Sequence, residues 1–117
     1  MKNTLLVLAI LLLSTNLTFA ADTTKTGILL DVMCGEMSAS DADDLSSHKV
    51  LCALMPNCQE SGFGIVVEGT FLKFGDAGDE KALAFLKGTQ KKSAVKIAVT
   101  GEFSGDNVKV ATIKEAN

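Results

Sequence analysis

The chain has 117 residues, eleven lysines, no arginine and fourteen acidic residues, for a net charge of −3; tyrosine and tryptophan are absent. A mildly acidic chain without arginine is poorly suited to phosphate backbones or to an anionic membrane surface, so no nucleic-acid partner is expected. The length suits one small domain and not two.

The first residues read as a leader. Lys2 supplies a positive start, "LLVLAILLL" is an apolar run too short to span a bilayer comfortably, and "TFA-AD" puts small residues at a cleavage position. Residues 1–20 are therefore expected to be a secretory signal peptide cut after Ala20. Residues 21–117 then form one exported domain, periplasmic or secreted, with no membrane insertion after cleavage. No cysteine follows the run closely, which argues against a lipoprotein. The hydrophobic content of 47% is inflated by this leader, and Lys2 leaves with it, which makes the domain more acidic still.

Along the domain, "TGILLDV" (26–32) reads as a first strand with Ile28, Leu30 and Val32 on one face. After Gly35, Ser40 is placed to cap a helix whose first turn is acidic. Leu45, His48, Cys52 and Met55 recur at helical spacing until Pro56 and Asn57 stop it, which predicts a helix from about 41 to 55. "GFGIVVEGTFLKFG" reads as a hairpin turning at Glu68-Gly69. "GDEKALAFLKG" (78–88) reads as a short helix with Ala82, Phe85 and Leu86 on one stripe. "AVKIAVTGEF" alternates with Val95, Ile97 and Val99 inward, "SGDN" (104–107) turns, and "VKVATI" (108–113) returns.

The result is a mainly β domain with two helices. Five strands with a helix between the third and fourth match an oligomer-binding (OB) barrel, β1-α1-β2-β3-α2-β4-β5, and an α+β sandwich is the alternative. In the barrel, a Cys/His-bearing helical insertion at about 34–58 falls between strands 1 and 2, on the usual binding face.

That insertion concentrates the reactive side chains. Every cysteine, the only histidine and every methionine after the leader lie between residues 33 and 58. On the predicted helix His48 and Cys52 stand side by side, Cys58 lies just past its end, and Cys34 ends the strand that feeds it. Cys34, His48, Cys52 and Cys58 make a Cys3His set suited to Zn²⁺. Thiolate with thioether instead suits copper as Cu(I), with Met33, Met37 and Met55 as soft second-rank ligands. Three cysteines in an oxidising compartment also allow a disulfide with a leftover thiol, as 34–52, 34–58 or 52–58, or an intermolecular bridge. Composition does not choose among these. A stapled, non-catalytic module binding an envelope protein is therefore the competing reading.

Other chemistry is poorly supported. A Cys52–His48 nucleophile would need an orienting group and an oxyanion donor, and nothing nominates either, so no catalytic residue is assigned. Haem attachment and thioredoxin-like chemistry need C-x-x-C, which is absent. "DADD" (41–44) lacks the glycine and closing glutamate of a calcium loop. "KGTQKK" (87–92) reads as a solvated loop before a strand, with steering of an anionic partner as the alternative.

Three segments also carry a resemblance: "DVMCG", the spacing H-x-x-x-C-x5-C, and "SGFGIVVEGTFLKF", with "AVTGEFSGDNVKVATI" (98–113) closing the pattern. Together they resemble small uncharacterised secreted bacterial proteins with a D-x-x-C-G … H/C … C-x-x-S-G-(Y/F)-G pattern. The resemblance covers nearly all of residues 21–117. It implies an exported, barrel-like module and supplies no reaction.

Overall fold

The computed structural model describes residues 22–117; the expected leader lies outside them. Five strands and five helices are found among these residues. The strands are β1 (Thr23–Asp31), β2 (Phe63–Val67), β3 (Thr70–Lys73), β4 (Lys96–Ser104) and β5 (Asn107–Glu115). Four short helices, α1 (Val32–Ser38), α2 (Ala42–Ser47), α3 (Val50–Ala53) and α4 (Pro56–Ser61), fill the space between β1 and β2. The longer α5 (Asp76–Gly88) joins β3 to β4. No helix among them is long and apolar enough to cross a membrane.

The strands form one sheet that closes in the order β1-β2-β3-β5-β4. Four of the five seams are antiparallel. The fifth, between β3 and β5, is parallel and rests on Lys73 opposite Asn107, with a 2.8 Å bond from the Lys73 amide to the Asp106 carbonyl. Closure is thus narrow at that seam and extensive between β4 and β5. The β2–β3 hairpin turns at Glu68-Gly69 as expected, both with positive φ (49° and 79°), the signature of a two-residue type I′ turn.

Leu29, Ile65, Leu72, Ile97 and Val99 fill the interior with Phe63 and Phe74, which neighbour each other at the same end of the β2–β3 pair, and with Ala82 and Leu86 of α5. The inward set of the fourth strand, Val95, Ile97 and Val99, is buried as expected. The first strand has the opposite parity. Its core residue is Leu29, paired with Ile65, and strand alternation puts Asp31 on that same face. Leu30 is also fully buried, but on the other face, opposite Gly64. Val32 has left the strand and begins α1.

The predicted helix over 41–55 is two helices separated by an extended link. Asp41, rather than Ser40, caps α2 through bonds from the Asp43 and Asp44 amides. Ser46 and Ser47 then turn their hydroxyls back onto the Asp43 carbonyl at 2.9 Å, competing with the next helical amides. His48 adopts an extended conformation (φ −64°, ψ 121°). Lys49 forms a bridge to Ser93, while the Val50 amide bonds to the Lys92 carbonyl and the Ala94 amide to the His48 carbonyl. Pairing with a distant segment therefore replaces helical bonds at 48–50. Pro56 opens α4 instead of ending a helix, the position where its missing N–H costs least.

Candidate metal centre

The site is built at the junction of β1 and α1. Three amides at the start of α1 lack helical partners, and each finds a different one. Val32 N–H donates to the Gly62 carbonyl (2.9 Å), Met33 N–H to Ser61 Oγ (3.3 Å), and Cys34 N–H to Asp31 Oδ2 (3.1 Å). These bonds cap the helix and fasten the end of α4 to the start of α1. Gly35 lies against the Phe71 ring, which also covers Gly64; a Cβ at Gly35 would collide with that ring. Only glycine after Cys34 lets α1 settle this close to the sheet.

Asp31 is fully buried. One of its oxygens is committed to the cap, which holds the other, Oδ1, 3.4 Å from His48 Nε2. At that separation the pair is an electrostatic contact rather than a well-formed hydrogen bond. Asp31 Oδ1 and His48 Nε2 are both buried without a hydrogen-bond partner, an expensive arrangement unless another group satisfies them. The Cys34 thiol completes the group, with one donor atom from each residue inside a 4.8 Å span.

Electrostatics follow from this crowding. Burial tends to raise the Asp31 carboxyl, but the His48 imidazole and the Cys34 amide outweigh it and hold it below the usual carboxylate value. Burial first, and then the neighbouring Asp31 carboxylate, push the Cys34 thiol up to about 11. The same two causes raise the Cys58 thiol, which is also within electrostatic reach of Cys34 and Cys52. A carboxylate is thus ready to accept a cation, while the thiol beside it gives up its proton only when a positive charge arrives.

The four ligands expected from sequence are therefore distributed unevenly. Cys34 and His48 meet, and Cys58 of α4 lies within electrostatic reach of Asp31 and Cys34 but outside the three-residue group. Cys52 of α3 is exposed and stands outside the three-residue group. His48 enters from an extended link, not from a helix face shared with Cys52. All three cysteines are free thiols. Met33, Met37 and Met55 are exposed. Sequence reasoning missed Asp31, although its position three residues before Cys34 is the spacing of a helix cap.

The donor set tests well against a metal ion. Tetrahedral Zn²⁺ sets its ligand atoms about 3.3–3.8 Å apart. The Asp31–His48 pair already has that separation, and Cys34 would need to approach by about 1 Å. Comparisons with protein-family models, with curated proteins and with solved structures gave no match.

Proposed function

We propose that this is an exported metal-binding protein that holds one Zn²⁺ through Asp31, Cys34 and His48, with Cys58 as the fourth ligand. The observation that carries this reading is the facing pair of buried, unpartnered atoms, Asp31 Oδ1 and His48 Nε2, with the Cys34 thiol beside them. A carboxylate among the donors favours zinc over Cu(I), which prefers thiolate and thioether. Cap bonding orients Asp31 as outer-sphere partners orient ligands in metal sites generally. The strand order and the helix between β3 and β4 support reading the scaffold as an OB-like barrel. Its β1–β2 connection then carries the site.

The test is a titration of reduced, chelator-treated protein with Zn²⁺ against a competing chelator, repeated with Co²⁺ as an optical stand-in. One ion per chain is expected, with thiolate-to-cobalt charge transfer. Cys34→Ser and His48→Ala should lose about 100-fold or more in affinity, and Cys52→Ser should lose little. No binding, or an equal loss from Cys52→Ser, would overturn the assignment.

A second reading has support of its own. Bonds from Val32 and Met33 to Gly62 and Ser61 hold α1 against the end of α4, which makes Cys34 and Cys58 the natural pair for a disulfide in an oxidising compartment. Non-reducing peptide mapping that finds a 34–58 linkage in protein that does not take up zinc after reduction would favour this stapled module.

A further inference from the structure

The exposed lysines of the segment 87–92 share one groove. With α3 and the end of α5 they border a groove of about 450 Å³, a volume within the roughly 300–1,000 Å³ typical of small-molecule sites. Its apolar surface comes from Val50, Leu51, Leu54 and Leu86. Val50 and Leu86 are held in the core, whereas Leu51 is 77% exposed. Around this surface stand Lys49, Lys87, Lys91 and Lys92, and no acidic residue lines the groove.

Two facts separate this from an ordinary solvated rim. Four of the eleven lysines of a net-negative chain border one groove. Among the described residues, none of the four has a carboxylate within 4.0 Å; the only lysine ion pair is Lys73–Glu36. Lysine stems can cover apolar surface while their heads stay in water, but four unpaired like charges repel one another unless an anion joins them. The groove is also anchored, because the Lys49–Ser93 bridge and the Val50–Lys92 bond tie its two walls together.

We propose that this groove binds a small amphiphilic carboxylate of the medium-chain fatty-acid type, its tail on Leu51 and Leu54 and its head among Lys87, Lys91 and Lys92. Removal of the tail from water drives association, and the lysines select the charged head and steer it to the groove. None of these residues is a proposed metal ligand, so the inference stands apart from the zinc reading.

Decanoate below its micelle concentration is the probe, with decanol as its uncharged counterpart, measured by calorimetry on the folded exported domain. Saturable one-to-one binding of decanoate is expected, about tenfold or more tighter than decanol. The K87Q/K91Q/K92Q variant, whose changes are all at exposed positions, should weaken decanoate about tenfold and leave decanol unchanged. Raising salt from about 50 to about 300 mM should weaken decanoate alone. Leu51→Ser, also at an exposed site, should weaken both. The proposal is overturned if decanoate does not saturate, if decanol binds equally well, or if the triple variant retains wild-type affinity. Binding of an acidic peptide with none of decanoate would overturn it too.

Discussion

Replacing Asp31 separates its two tasks, because its oxygens do different things. Oδ2 caps α1 at Cys34, and Oδ1 faces His48. Asn caps as well as Asp, so Asp31→Asn should keep the metal-free protein within about 1 kcal/mol of wild type. Asp31→Ala removes the cap, worth about 1 kcal/mol, and leaves the part-buried Cys34 amide without its acceptor. It should therefore cost about 1–2 kcal/mol. Zinc then separates wild type from the asparagine variant. At free zinc about 100 times the wild-type Kd, binding stabilises the native state by about 2.7 kcal/mol. A roughly 100-fold loss of affinity would leave about 0.4 kcal/mol at the same zinc concentration. Urea unfolding followed by far-ultraviolet circular dichroism, with and without zinc, reads all three effects. The wild-type midpoint should rise by about 1–2 M urea. If Asp31→Asn keeps the full zinc increment, Asp31 is not a ligand. If it is as unstable as Asp31→Ala without zinc, the cap assignment is wrong.

The remaining predictions concern how the scaffold holds the site. Asp79 of α5 accepts a 2.8 Å bond from the Phe63 amide. Burial, with some help from Asp76, raises its carboxyl above the ordinary 3.8, although the Phe63 bond opposes the rise. A raised acid binds more protons folded than unfolded. Its stabilising contribution is therefore complete below the unfolded value and is lost as pH rises through the folded one. Asp79→Asn keeps an acceptor without the charge, so it should be at least as stable as wild type at neutral pH, and its advantage should vanish in acid. Asp79→Ala leaves the buried Phe63 amide unpaired and should cost about 1–3 kcal/mol; equal urea midpoints for the two variants would refute this account. Gly35→Ala should cost about 1–3 kcal/mol through its collision with Phe71, and Phe71→Leu should recover part of that loss in a double-mutant cycle. Simple additivity would show that the ring is not the obstacle.

Local pattern decided much of this protein. The two hairpins, turning at Glu68-Gly69 and Gly105-Asp106, the helix ending near Gly88 and the inward set Val95, Ile97 and Val99 all follow from turn residues and periodicity, which act over a few residues. The crowding of Cys34, His48 and Cys58 into one short stretch likewise marks where the candidate site lies. Tertiary structure decided the rest. The parity of β1 is hidden because Leu29 and Leu30 are both buried, on opposite faces, so alternation gives no signal. The pattern Leu45, His48, Cys52, Met55 is helical in period, yet Lys49 pairs with Ser93 and Val50 with Lys92, and those bonds break the helix where His48 must turn inward. Asp31 reads from sequence as one residue within the first strand. It becomes a candidate ligand only because a helix cap fixes one of its oxygens and the fold brings His48 to the other.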